Sequence, residues 1–170
     1  YPRVLDALDE GDGDVDAELR LHLSRTAFAR TAAYDAAIAA HFQASSDDPL
    51  PRMRTVPLHL VQDLRYGENP HQRAALYGDP LCQLAPAVVG CEQIQGKALS
   101  YNNILDADAA LNLALELPEP AVCVIKHTNP CGAATAADVG EAFKRALATD
   151  PVSAFGGIVS SNRPVTAEMA

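Results

Sequence analysis

The sequence predicts an α/β fold, and three observations carry that expectation. Residues 121–125, Ala-Val-Cys-Val-Ile, form a short continuous apolar run with the β-branched density of a strand buried on both faces. Helical apolar patterns stand before and after that run. Clusters of Pro, Gly and Asn punctuate the segments, as expected where strands and helices alternate around a sheet with covered faces.

Taken in order, residues 16–42 are rich in alanine and free of Pro and Gly, with Leu23, Ala27, Thr31, Tyr34, Ile38 and Phe42 three or four apart. This spacing predicts one long helix, or two joined ones, with an apolar packing face. The Asp-rich lead-in suits a helix N-terminus, where carboxylates meet the positive end of the helix dipole. Residues 44–51 are polar and contain two prolines, so they read as a linker and as the domain boundary. Beyond it, Val56, Leu58 and Leu60 alternate into a strand that ends near Asp63, and a short strand is expected at 87–89, with loops between. Residues 101–117 read as a helix carrying Leu105, Leu111 and Leu115 and closed by Pro118 and Pro120. After the buried strand, a helix over 136–148 is expected to open with a Thr135-x-x-Asp138 capping box. A strand around 157–160 follows, and Thr166 then sits in the capping position of a further helix start. Because that helix has barely begun and no initiator Met is present, the chain is read as a piece of a longer protein.

Composition narrows the function classes. The 170 residues carry a net charge of −9, so non-specific binding to nucleic acid or to an anionic membrane, which needs basic excess, is excluded. The charge is uneven. Acidic residues from Asp6 to Glu18 crowd the N-terminus, whereas Arg65, His71, Arg73, Lys97, Lys126 and His127 lie in the later part, where an anion site can form locally. No apolar run reaches membrane-spanning length and the start lacks a signal-peptide pattern, which together suggest a cytoplasmic protein. Cys82, Cys91, Cys123 and Cys131 form no C-x-x-C pair, so no metal site is expected, and Cys123 reads as a small apolar core residue.

Four segments hold the candidate chemistry. Leu64-Arg65-Tyr66-Gly67-Glu68-Asn69-Pro70-His71-Gln72 follows a strand and is dense in donors; an Arg fork and a Tyr hydroxyl suit a phosphate or carboxylate, the alternative being a polar turn with Arg65 paired to Glu68. Gln95-Gly96-Lys97 lacks the glycines of a phosphate loop, and Ser100 or Asn102 reads as a helix cap. Lys126 and His127 terminate the buried strand, at the kind of edge where open α/β sheets bind ligands. An amine beside an imidazole there can transfer protons on an anionic substrate, the alternative being a structural His with a snorkelling Lys. Adjacent strand residues point to opposite faces, so both serve one site only if the chain leaves strand geometry, which Asn129-Pro130 is expected to enforce. Finally, Asp150-Pro151-Val152-Ser153-Ala154-Phe155-Gly156-Gly157 places two glycines before a strand, allowing close backbone approach to a ligand or a neighbouring strand.

In register and in this order, the first segment, Leu99-Ser100-Tyr101-Asn102-Asn103, Lys126-His127-Thr128-Asn129-Pro130-Cys131-Gly132 and the Asp150–Gly157 segment closely resemble the PurH family of bifunctional purine-biosynthesis enzymes, which join an AICAR transformylase to an IMP cyclohydrolase. The resemblance implies that residues 1–43 are the helical tail of the cyclohydrolase domain, 44–55 a linker, and 56–170 the first, incomplete part of the transformylase domain, with a cytidine-deaminase-like first subdomain. It implies Lys126 and His127 as the catalytic pair, and Arg65, Tyr66 and Gly156 as contacts to the AICAR nucleotide. It implies 10-formyltetrahydrofolate as co-substrate, no metal, and a homodimer for the full-length enzyme. Two other readings remain open on the residues: an inactive nucleotide-binding module, and a deaminase-like zinc hydrolase.

Overall fold

The structure is a computed structural model that describes residues 1–80, 86–167 and 169. It divides into two compact units, Tyr1–Leu58 with Asp79–Leu81, and His59–Gly78 with Cys82–Ala170.

The first unit holds α1 (Pro2–Glu10) and α2 (Ala17–Ala44). α1 is not legible in the apolar spacing, although Pro2 sits in its first turn, where the missing N–H costs nothing. α2 starts as expected: the Asp16 side chain accepts from the Leu19 amide at 2.7 Å and caps the helix. Its expected packing face is not buried, however. Leu23, Tyr34, Ile38 and Phe42 are exposed, and the helix buries only Leu19 and Ala36.

The second unit contains two small antiparallel sheets. β1 (His59–Asp63) pairs with β2 (Ala75–Gly78). The first strand therefore begins later than the alternation from Val56 suggests; Pro57 has no amide to donate, and Val56, Leu58 and Leu60 are all exposed. β2 falls where a loop was expected. The strand expected at 87–89 is instead a single 3₁₀ turn, Val88–Gly90, because a three-residue apolar run with no partner strand gains nothing by extending.

The other sheet is the core. β3 (Ala121–Lys126) lies between β4 (Asn129–Thr135) and β5 (Ile158–Ser161), antiparallel to both. Ala121 through Ile125 are each at most 1% exposed, so the double-sided burial expected of this strand is realised. Val122 and Val124 pack on Val139, Ala142 and Ala146 of α4 (Val139–Thr149). Ala121, Cys123 and Ile125 alternate to the opposite face, where α3 (Tyr101–Leu115) covers the strand and buries Ala110 and Ala114. Leu105 and Leu115 of α3 remain exposed, and its fully buried residues are the small Ala110 and Ala114.

β4, like α1 and β2, is an element sequence reasoning missed. Pro130 and Gly132 read as breakers, yet Pro130 is tolerated because β4 is an edge strand and carries a bulge, the register passing from Val124↔Gly132 to Ile125↔Pro130 with Cys131 extra. The start of α4 moves for the same reason. Thr135 still pairs with Ala121, and the Ala136 amide donates to the Pro120 carbonyl, so the cap passes to Asp138, which accepts from Glu141 N at 2.9 Å. The further helix start expected from Thr166 reaches Glu168 and Ala170, outside the described residues.

One side chain closes the far end of the core sheet. Asn162, just after β5, accepts from the Ala121 amide at 2.9 Å and donates to the Leu117 and Glu119 carbonyls, both at 2.8 Å. It thus satisfies backbone groups left over where α3 ends and β3 begins.

Close approach rather than turn geometry explains Gly132. A Cβ there would land on the Ala146 carbonyl of α4 and within 3.1 Å of the Thr149 side chain. Gly132→Ala is therefore expected to destabilise the fold by about 1–3 kcal/mol in urea unfolding. Gly90→Ala, where a Cβ meets nothing within 4 Å, is the matched control and should stay within about 0.5 kcal/mol of the parent.

Candidate functional site

β3 turns directly into β4 through His127 and Thr128. Lys126 pairs with Asn129 and the two loop residues have φ of 52° and 60°. Positive φ at both central positions is the type I′ hairpin pattern, which normally calls for Asn and Gly. In a histidine and a β-branched threonine it is strained, at about 1–3 kcal/mol per residue. The departure from strand geometry that lets Lys126 and His127 serve one site therefore lies at His127 and Thr128. Asn129 and Pro130 belong to the returning strand.

Local hydrogen bonds hold the turn. The His127 carbonyl accepts from Thr128 Oγ1 and from Asn129 Nδ2, each at 2.7 Å. The Thr128 amide donates to Asp106 Oδ1 of α3, also at 2.7 Å. His127 itself is exposed.

Lys126 is half-buried and its ammonium donates to the Phe155 carbonyl at 2.9 Å. One of its three N–H donors is thereby committed and the others remain available. The carbonyl belongs to the loop before β5, which is itself tied down. Ser153 N donates to Asp150 Oδ1 at 2.9 Å, and the hydroxyl and amide of Ser153 together hold the Asp150 carboxyl below the usual carboxylate range. The next residue, Gly156, has φ of +77° with open space where a Cβ would stand, whereas at Gly157 a Cβ would meet the Ile125 carbonyl at 2.9 Å. The two glycines thus divide their work: Gly157 allows strand-to-strand approach, and Gly156 supplies a left-handed bend beside open space. Lys126, His127 and Gly156 are brought to the same end of the core sheet.

Arg65 and Tyr66 are built differently. The chain after β1 is stitched to the start of α3: Arg65 N donates to the Leu99 carbonyl at 2.9 Å, Tyr101 N to the Tyr66 carbonyl at 3.1 Å, and Asn102 Nδ2 to the Glu68 carbonyl at 3.3 Å. Ser100, 2% exposed, caps α3 in a reciprocal box with Asn103. The Tyr66 hydroxyl accepts from Arg65 Nη2 at 3.2 Å, and the guanidinium carbon stands 4.8 Å from the Tyr66 ring centroid. An Arg65–Glu68 ion pair is not formed; the pairs among the described residues are Arg20–Asp14 and Arg145–Glu141. Arg65 is exposed with its charge uncommitted to a carboxylate, and the tyrosine offers it a hydroxyl acceptor and a ring face.

Sequence reasoning missed Asp106 and the Phe155 carbonyl. Asp106 lies 22 positions from Thr128 and the carbonyl 29 from Lys126, so neither contact has a local signature. No group of three His, Cys, Asp or Glu that could hold a metal occurs among the described residues. Cys91, Cys123 and Cys131 are free, and burial pushes the Cys123 thiol up, as suits a core residue. No helix among them is long and apolar enough to cross a membrane.

The Tyr66 contacts have a titration signature. Hydrogen bonds from Ser100 and then Arg65, with the guanidinium charge, favour the phenolate and hold the Tyr66 hydroxyl below the ordinary tyrosine value. In ultraviolet difference titrations, the component removed by Tyr66→Phe is expected to ionise at lower pH than the other tyrosines. Ser100→Ala and Arg65→Ala should each move it up. A Tyr66 component unmoved by both would mean that these contacts do not form in solution.

Comparison with known proteins gives the family of the chain. The family model described as the AICARFT/IMPCHase bienzyme matches residues 1–170. The bifunctional purine biosynthesis protein PurH of Rhodospirillum rubrum is 54% identical over 170 residues, covering all of this chain and 32% of that protein. The PurH proteins of Myxococcus xanthus and Oceanobacillus iheyensis are 50% and 46% identical, again over the whole chain and 33% of their own length. The chain spans about a third of the length of the curated relatives it matches. With all of its residues inside the family match, the chain belongs to the AICARFT/IMPCHase bienzyme family.

Proposed function

We propose that this chain contributes the Lys-His pair and part of the nucleotide site of an enzyme of de novo purine biosynthesis, which transfers a formyl group from 10-formyltetrahydrofolate to AICAR and cyclises the product to IMP. The observation that carries the reading is the strained His127–Thr128 turn at the end of a fully buried strand, beside Lys126 and Gly156. Strain held in place by surrounding contacts clusters at functional sites. In this reading residues 1–43 end the cyclohydrolase domain, 44–55 link it, and 56–170 open a transformylase domain whose first subdomain is deaminase-like. The full-length protein acts as a cytoplasmic homodimer without a metal.

The chemistry assigned to each side chain follows from what the substrates need. The 5-amino group of AICAR is a weak nucleophile, because its lone pair is delocalised into the ring carboxamide. As its nitrogen bonds to the formyl carbon and the bond from that carbon to the folate nitrogen breaks, the amine must lose a proton and the folate nitrogen must gain one. His127, exposed on the turn, is the base that takes the amine proton. The free donors of Lys126 stabilise charge on the formyl oxygen or deliver the proton to the departing nitrogen. Arg65 offers its fork to the nucleotide phosphate, Tyr66 holds the guanidinium, and Gly156 lets the backbone approach the nucleotide.

In the full-length enzyme His127→Ala is expected to lower kcat for formyl transfer by about 10²–10⁴-fold, the contribution of a positioned base, with AICAR affinity little changed and cyclohydrolase activity retained. Steady-state kinetics of both half-reactions decide it, and formyl transfer within a few-fold of the parent would remove His127 from the mechanism. Arg65→Ala should instead raise the KM for AICAR with a smaller effect on kcat, since phosphate binding is shared by ground and transition states. Arg65→Lys should restore little of it, because a point charge cannot reproduce the fork or the ring contact. Unchanged AICAR binding in both variants would make Arg65 structural.

A further inference from the structure

We propose that Asp106 is a positioning residue for His127, acting through the Thr128 amide; the inference deepens the formyl-transfer reading and rests on it for its catalytic part. In a two-residue hairpin the flanking residues exchange the ladder hydrogen bonds and the amides of the loop residues point away from the partner strand. The Thr128 N–H would therefore have no backbone acceptor, and Asp106 Oδ1 supplies one at 2.7 Å, a short charge-assisted bond. The bond spans 22 positions, from the second turn of α3 to the tip of the hairpin. It is the contact that ties the tip to a neighbouring element, since the other two bonds at the turn, to the His127 carbonyl, are made by Thr128 and Asn129 themselves.

The energetics of the turn give the contact its purpose. Thr128 has φ of 60° and carries a β-branched side chain, a combination that relaxes unless its surroundings forbid it. Relaxation of Thr128 would rotate the peptide it shares with His127 and re-aim the imidazole. Because α3 packs on β3 through the buried alanines, Asp106 is mounted on a rigid element, and the turn inherits that rigidity. An acceptor at position 106 is what the geometry requires; the charge of the carboxylate strengthens the bond but does not define it.

The full-length enzyme carries the test, with Asp106→Ala, Asp106→Asn and the double variant Asp106→Ala/Thr128→Gly. Misplacement of a catalytic group by about 1 Å costs on the order of 10²-fold, so Asp106→Ala should lower kcat for formyl transfer by about that factor, with the KM for AICAR within about threefold. Asn retains an oxygen acceptor and should recover most of the loss. Glycine removes the positive-φ penalty at Thr128 and should partly rescue the Ala variant, a recovery that a general folding defect would not show. Hydrogen exchange followed by mass spectrometry should show faster exchange at the Thr128 amide in Asp106→Ala but not in Asp106→Asn. The proposal is overturned if Asp106→Ala keeps kcat within threefold, or if the Ala and Asn variants lose activity equally and glycine does not rescue the Ala variant. Should Asp106→Ala fail to fold, the Asn variant and the exchange of its Thr128 amide decide the matter. A parent enzyme without formyl transfer would refute the functional reading, while the exchange data would still judge the tie between Asp106 and the turn.

Discussion

The burial of β3 on both faces governs the second unit. A strand whose five leading residues are at most 1% exposed leaves no room for an ionised side chain, because an unpaired buried charge costs far more than a marginally stable domain has to spare. Polar groups are admitted only where the strand runs out, and Lys126 is the first of them. Even there the residue is half-buried and its ammonium finds an acceptor, the Phe155 carbonyl. That contact requires β5 to start at a fixed distance from β3, which Gly157 permits by leaving space for the Ile125 carbonyl. On the other side, Gly132 lets α4 close over β4. The core and the candidate site are thus one packing problem: the glycines that let the layers close also set where the lysine and its carbonyl meet.

The hairpin that follows breaks a local rule. Asn-Gly would make the same two-residue turn with little strain, and a sequence selected for hairpin stability alone would carry it. His127-Thr128 instead accepts two unfavourable backbone conformations and recruits three hydrogen bonds to keep them. Local preference and global structure disagree at this point, whereas they agree along β3 and at the Ser100 cap of α3. Such isolated disagreements are expected where a side chain has been chosen for what it does rather than for how it folds.

What was legible in the sequence follows from the range of the interactions involved. α2, α3 and the Ser100 cap rest on periodicity and on contacts within four residues, and β3 on one continuous apolar run; each stands where the pattern predicts, although the apolar face expected of α2 is exposed. β4 was hidden because Pro130 and Gly132 are breakers in a central strand but admissible in a bulged edge strand, and edge position is a property of topology. The same hidden strand displaced the cap of α4 from Thr135 to Asp138. At the site, Lys126, His127, Arg65, Tyr66 and Gly156 were picked out by residue type and by family resemblance. Their partners were not. The Arg65–Tyr66 contact stands where the alternative reading paired Arg65 with Glu68, and Asp106 and the Phe155 carbonyl reach their partners across more than twenty positions of chain.

α3 is the element to which both parts of the candidate site are fastened. Its first residue, Tyr101, donates its amide to the Tyr66 carbonyl, and Asp106, five residues further on, accepts from the Thr128 amide. At 1.5 Å per residue these anchor points stand about 7.5 Å apart along the helix axis. The helix cannot stretch, and its buried alanines fix it against β3, so the offset between the two anchors is a rigid quantity. A loop-borne arginine and a strained turn are each poor at holding a position alone, since loops move more readily than the elements they connect. Fastened to one helix, they share a frame, and the distance between the group that would hold a nucleotide phosphate and the group that would take a proton from its base becomes a property of helix geometry rather than of two independent loops.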